Sequence, residues 1–210
     1  RLQFSCQIEE LETADFIQES TPEDNAIKDK VMAAISEVVG PEVIIASSTS
    51  SIVPTRLQTQ CQHPERMLIG HPFNPVYLLP LVEVVAGRHT CPEAASWAMS
   101  FYQHWGKLPL LCRAETPGHL GYRLQAAIGA EARKLVTEGI ATTGDVDAAL
   151  SSGPGMRWAL IGSFMTEHIA AGDGGLRETL MGKFDADSSS DEAPDSDLIE
   201  RILTGNQSQV

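Results

Sequence analysis

The chain has 210 residues, of which 42% are hydrophobic, and a formal net charge of −13. That length can bury one good core, or one and a half domains. The acidic balance argues against nucleic-acid or anionic-membrane binding, and no apolar run approaches the roughly eighteen residues needed to span a bilayer. Charge is uneven: the stretch from Asp185 onward holds seven of the 28 acidic residues and one of the 15 basic ones. The four cysteines (Cys6, Cys61, Cys91 and Cys112) are widely spaced with no Cys-x-x-Cys pair. This spacing argues against a metal site and a disulfide scaffold, and suits a reducing compartment such as the cytoplasm. The first residue is Arg1, and residues 1–15 have neither the charged head nor the apolar core of a signal peptide. The chain therefore reads as a fragment whose natural start lies upstream.

In chain order, Ala14-Asp15-Phe16-Ile17-Gln18-Glu19 reads as a short strand. Thr21-Pro22-Glu23 then opens a helix, with Thr21 as N-cap and Pro22 at the first helical position. Its apolar stripe is Ile27, Val31, Ala34, Ile35 and Val38, and Gly40 ends it. Val43-Ile44-Ile45-Ala46 is a continuous apolar run of the kind buried in a parallel sheet. Five hydroxyl residues follow it, Ser47-Ser48-Thr49-Ser50-Ser51. At the carboxyl edge of a doubly wound sheet, such a run sits where ligands bind.

Residues 69–86 form the most informative stretch. Ile69-Gly70-His71-Pro72-Phe73-Asn74-Pro75 is a strand end followed by a proline-fenced turn, and Leu81-Val82-Glu83-Val84-Val85-Ala86 is a second strand. Each proline biases the residue before it, His71 and Asn74, towards extended backbone. Strand alternation puts Glu83 on one face with Leu81 and Val85, where an unpaired carboxylate is costly to bury. His71, twelve residues earlier, is the nearest partner if the two runs pair. An imidazole steered by a carboxylate is what a general base requires. A helix over 92–105 and a strand at Leu108–Cys112 continue the alternation, which predicts an α/β domain with a mainly parallel sheet.

Thr116-Pro117-Gly118 marks a composition shift, after which the pattern is helical. One stripe (Leu120, Leu124, Ala127, Ile128, Ala132, Leu135) ends at Gly139, a second helix starts near Thr142 or Thr143, and a third covers about residues 157–171. The domain expectation is 1–115 for the sheet, 116–184 for the helices and 185–210 for a disordered acidic tail.

Gly-His-Pro-Phe-Asn-Pro followed by Pro-Leu-Val-Glu-Val-Val resembles the catalytic stretch of the 3-hydroxyacyl-CoA dehydrogenase superfamily. The resemblance implies the C-terminal part of a Rossmann-type NAD-binding domain, then an all-helical domain for substrate binding and dimerisation. It implies NAD as cofactor, a small-molecule substrate and a homodimer formed through the helices. By position, His71 matches the base, Glu83 the residue that orients it, and Ser50 the serine that binds the reacting hydroxyl. Glu23, Lys28, Ser50 and Asn74 match residues near the cofactor. Gly153-Pro154-Gly155-Met156-Arg157-Trp158-Ala159 is similar to a branch of the family acting on small hydroxy acids with a free carboxylate. An arginine fork is a natural clamp for that group, so Arg157 is expected to bind substrate. Tyr77 and Trp158 offer aromatic faces for a quaternary ammonium group.

The chain departs from the family at two places. Where members commonly carry Asn before the Arg-Leu of the long helix, this sequence has Tyr122-Arg123-Leu124, so that role is not carried over. No Gly-x-Gly-x-x-Gly occurs among the 17 glycines. If the resemblance holds, a first mononucleotide half on the order of ninety residues lies upstream, at about thirty per strand–helix–strand unit.

Overall fold

The computed structural model describes residues 2–186 and 196–207. It divides into two compact units, residues 1–129 and 130–210. In the first, strands β1 (Phe16–Glu19), β2 (Ile44–Ser47), β3 (Met67–Pro72), β4 (Leu81–Ala86) and β5 (Leu108–Cys112) form one sheet in sequence order. Neighbouring strands are parallel except β3 and β4, which run antiparallel. The helices between them are α1 (Asn25–Val38), the short α2 (Pro54–Gln58) and α3 (Pro92–His104). The mainly parallel sheet expected from the alternating pattern is present.

Strand alternation sorts the core into two layers. Ile17, Ile45, Met67, Ile69 and Val85 pack against Met32, Ile35 and Val39 at α1, and Leu57 of α2. Ile44, Ala46, Leu68, Val82 and Val84 pack on the other face against Ala94, Ala98 and Tyr102 of α3. Gly70 lies on this second face, where a Cβ would run into the Tyr102 hydroxyl. The Tyr102 hydroxyl itself donates to Gln18 Oε1 at 2.5 Å, and Gln18 Nε2 donates to Ser48 Oγ and the Gly70 carbonyl.

The first helix begins later than its sequence signal. Asp24, not Thr21, is the N-cap, accepting from the Ile27 amide at 2.9 Å. Thr21 is committed elsewhere: its amide and hydroxyl both donate to Glu19 Oε1, at 2.6 and 2.5 Å. Glu19 is the centre of a buried cluster that sequence reading missed. Lys28 is 1% exposed and donates to both Glu19 oxygens at 2.9 and 3.0 Å and to the Thr21 carbonyl at 3.1 Å. Ser47 at the end of β2 also donates to Glu19 Oε2. Lys28 therefore pairs mainly with Glu19, and Glu23 stands 3.9 Å from it.

The second unit contains the end of α4 (Gly121–Thr137), then α5 (Thr143–Ser152), α6 (Pro154–Ala170), α7 (Gly175–Ala186) and α8 (Ser196–Gln207). The division between these two units falls within α4. Thr142 caps α5 in a capping box with Asp145, and α6 kinks at Gly162, whose φ is +66°. The expectation of a disordered tail from 185 is corrected for the described part. Helix α7 runs through Ala186, and 196–207 are helical, with Ile199, Ile202 and Leu203 packed on Leu176 and Leu180. The tail's polar composition masked this i, i+3, i+4 apolar stripe. Residues 187–195 and 208–210, also in that expectation, lie outside the described residues.

Breaking a buried ion pair strands the surviving charge, so Glu19→Gln is expected to cost about 3–5 kcal/mol in urea unfolding. Replacing both partners, Glu19→Leu with Lys28→Met, is expected to cost much less than the sum of the single changes. Burial by itself raises the Glu19 pKa, but hydrogen bonds from Ser47, Thr21 and Lys28 outweigh it and hold the carboxyl below its ordinary value. The sign follows from linkage: Glu19 stabilises the fold above the unfolded-state value of about 4.3, and that contribution is lost as pH falls below it. Urea midpoints measured against pH should decline more steeply below about pH 4 in the wild type than in Glu19→Gln.

Candidate active site

The hydroxyl run leaves β2 at the carboxyl edge of the sheet, and every one of its five side chains has a partner. Ser47 binds Glu19; Ser48 Oγ pairs with Gln18 Nε2 and with Ser20 Oγ, both at 2.8 Å. Thr49 and Ser51 hydroxyls donate to Glu23 Oε1 at 2.5 and 2.7 Å, and the Ser51 amide adds a third bond at 3.0 Å. Burial by itself raises Glu23, but bonds from Thr49 and Ser51 and the nearby Lys28 charge hold it below its ordinary value. Only Ser50 turns towards the next strand, where its Oγ lies 3.1 Å from His71 Nε2. The run is a turn clamped on both sides to the β1–α1 connection.

The β3–β4 register places His71 opposite Glu83, as the proline-fenced spacing leads one to expect. His71 is 7% exposed and Glu83 is fully buried. His71 Nδ1 lies 2.8 Å from Glu83 Oε2. The second oxygen, Oε1, accepts from the backbone amides of Leu120 and Gly121 at 2.8 and 2.7 Å, where α4 begins. Burial by itself raises the Glu83 pKa, but bonds from His71, Gly121 and Leu120 hold it below the ordinary carboxyl value. An ionised carboxylate only accepts, so Nδ1 carries the imidazole hydrogen and donates. His71 Nε2 is then left bare, and it accepts from the Ser50 hydroxyl. The two amides at the start of α4 are also oriented to favour a negative charge.

Phe73 covers this dyad. Its ring stands near edge-on to His71, with centroids 5.1 Å apart, and it lies against Gly121, where a Cβ would meet Phe73 Cζ at 2.5 Å. A second histidine, absent from the sequence expectation, completes the cluster. His119 is 1% exposed, its Nε2 is 2.9 Å from the Thr49 carbonyl, and its ring centroid is 5.4 Å from that of His71. The signal that could have flagged it is its place directly after Thr116-Pro117-Gly118, in a turn that must double back to the sheet.

The structure thus brings together Ser50, His71 and Glu83, with Glu23 bonded to the same turn. Asn74 and Tyr77 lie on the 73–80 loop between the two strands, both exposed, Tyr77 by 85%. Lys28 is spent on Glu19 and Thr21; it props the β1–α1 connection and offers no free charge to a ligand. Arg157 and Trp158 stand on α6, in the second unit. Tyr122, where the family commonly has Asn, follows the two amides that hold Glu83. Among the described residues, no group of three or more His, Cys, Asp or Glu side chains could hold a metal ion, and no helix is long and apolar enough to cross a membrane.

A dinucleotide binds a doubly wound sheet at the carboxyl ends of its strands. That edge carries Ser50 and His71, with Asn74 exposed two residues past the end of β3. Chemically, a bare imidazole nitrogen backed by a buried carboxylate and adjoining a hydroxyl can take a proton from an alcohol.

Residues 1–116 match the NAD-binding domain of 3-hydroxyacyl-CoA dehydrogenase, and residues 118–208 match that enzyme's C-terminal domain. An L-carnitine dehydrogenase of Pseudomonas sp is 50% identical over 182 residues, covering 86% of this chain and 57% of the relative. Another, from Bacillus cereus, is 50% identical over 167 residues, 80% of this chain and 51% of the relative. Among solved structures, the NAD+ dependent 5-formyl-3-hydroxy-2-methylpyridine 4-carboxylic acid 5-dehydrogenase superposes with a TM-score of 0.81 at 32% identity, covering 91% of this chain and 62% of that one. The 3-hydroxybutyryl-CoA dehydrogenase of Escherichia coli K12 gives 0.64 at 33% identity, covering 69% and 30%. The chain spans about half the length of the curated relatives it matches. With both domains matched over most of its length, the chain belongs to the 3-hydroxyacyl-CoA dehydrogenase family.

Proposed function

We propose that this chain serves NAD-dependent oxidation of the 3-hydroxyl of L-carnitine to 3-dehydrocarnitine. The observation that carries this reading is the Ser50–His71–Glu83 relay, with its bare Nε2 at the lip of the sheet. Half-identity to relatives named L-carnitine dehydrogenase supports the choice of substrate. Hydride acceptance is the chemistry NAD supplies when bound. Ser50 hydrogen-bonds the substrate oxygen and sets its distance from His71. His71 Nε2 takes the hydroxyl proton as C3 loses hydride. The resulting imidazolium is stabilised by Glu83, whose charge the α4 amides already hold in place. Asn74 is assigned to the nicotinamide end, and Glu23 to the turn beside the cofactor, where it braces Thr49 and Ser51.

Arg157 is assigned to the substrate carboxylate, because its planar fork pairs with one bidentately. Tyr77 and Trp158 are assigned to the trimethylammonium group, which favours aromatic faces. A homodimer through the helices is supported by the apolar surface they leave uncovered: Leu160, Phe164 and Ile169 on α6 are 85, 50 and 61% exposed. The cytoplasm is the proposed location, supported by the four cysteines all being free thiols.

Replacing His71 with Ala is expected to reduce NADH formation from L-carnitine by roughly 10²–10⁴-fold, with binding little changed. A loss below tenfold would remove it from the role of base. Rates on L-carnitine, L-gulonate and 3-hydroxybutyryl-CoA separate the substrate readings. Arg157→Ala should raise KM for L-carnitine while leaving use of the acyl-CoA unchanged. An equal loss on both would sink the carboxylate clamp, and absence of NADH binding by the protein extended to the full length of its relatives would point to a non-catalytic member of the family.

A further inference from the structure

His119 combines three features that packing alone does not explain. It is buried to 1% exposure, it adopts φ +48°, and its Nδ1 is buried with no hydrogen-bond partner among the described residues. A left-handed backbone is unfavourable for any residue with a Cβ, and an unpaired buried polar atom is unfavourable again. A leucine or phenylalanine in this place would fill the space without the second penalty.

The geometry of residues 119–121 supplies a reason. The His119 side chain donates from Nε2 to the Thr49 carbonyl, next to Ser50, while the Leu120 and Gly121 amides donate to Glu83. Three consecutive residues therefore fasten both partners of His71: the serine turn on its Nε2 side and the carboxylate on its Nδ1 side. The positive φ at His119, after Gly118 at φ +79°, is the bend that lets the side chain reach one and the following amides reach the other. The Thr49 peptide is then fixed from two directions, by His119 at its carbonyl and by Glu23 at its side chain. Ser50 is carried by that peptide.

We propose that His119 is a positioning residue, which holds the Ser50 turn against His71 while the two residues after it hold Glu83. The inference rests on the reading of Ser50, His71 and Glu83 as the proton relay. Because a carbonyl only accepts, His119 is the Nε2–H tautomer with a bare Nδ1. Burial pushes its pKa below the ordinary histidine value, against smaller opposing effects of the Thr49 bond and of Glu83 and Glu23. The shift favours the neutral ring, which places no second cation beside His71 when the base takes its proton.

The test is ring-nitrogen NMR of the histidine-labelled chain, with rates alongside. In the wild type, His119 is expected to hold the neutral Nε2–H form at neutral pH and to titrate below the ordinary histidine value. A protonated or Nδ1–H His119 at neutral pH would overturn the proposal. His119→Phe should shift the His71 Nε2 resonance and its titration in the direction Ser50→Ala shifts them, and His119→Gln, whose amide can donate to the same carbonyl, should largely restore them. His71 signals in His119→Phe that match the wild type, while Ser50→Ala moves them, would also overturn it. Turnover on L-carnitine should fall roughly 10–100-fold in His119→Phe with KM little changed, as expected when a reacting group is displaced. If the wild type oxidises no 3-hydroxy acid, the proposed reaction fails, and the ring spectra still decide the case of His119.

Discussion

The Glu83 carboxylate is the constraint on which the rest of the site depends. It is fully buried, and a charge in that position without partners costs several kcal/mol. The fold answers with an imidazole N–H on one oxygen and two backbone amides on the other. Each partner constrains something distant in sequence. The imidazole fixes the register of β3 against β4, since slipping by one residue would turn His71 to the opposite face of the sheet. The amides fix where α4 starts, and with it the turn at Gly118 and His119. One buried charge thus sets the tautomer of His71 and the entry of the helical segment together.

A second buried carboxylate, Glu19, does similar work at the other side of the site. It gathers Lys28, Thr21 and Ser47, and so ties the end of β1, the start of α1 and the end of β2. Glu23 repeats the device one layer out, on Thr49 and Ser51. The serine turn is rigid because its neighbours on both sides are pinned to carboxylates. Ser50 alone is left to address the histidine. In a loop of small polar residues, which would otherwise sample many conformations, that restraint is what makes a 3.1 Å contact to His71 reproducible.

Much of this was legible in the chain. His71, Pro72, Asn74 and Pro75 announce a strand end with a fenced turn, and alternation puts Glu83 where it needs a polar partner. The hydroxyl run after an apolar strand marks the ligand edge of a parallel sheet. What misled were local signals overruled by tertiary bonds. Thr21 has the chemistry of an N-cap, but Glu19 captures it, and the cap passes to Asp24. Glu23 and Lys28 look like a surface pair five residues apart, yet burial hands Lys28 to Glu19. Residues 196–207 read as solvated tail, because their few apolar side chains become a stripe only when Leu176 and Leu180 are there to receive them.

By itself, then, the sequence determined the alternation of strands and helices, the pairing of His71 with Glu83, and the hydroxyls at the sheet edge. Those follow from rules that act over a few residues: φ limits before proline, side-chain period, and the cost of a lone carboxylate on an apolar face. Only the tertiary structure decided that His119 stands beside His71, that the Leu120 and Gly121 amides complete Glu83, and that Glu19 owns Lys28. These contacts join segments nine to seventy residues apart. No local periodicity encodes them, because each depends on which buried polar group is left needing a partner once the sheet has closed.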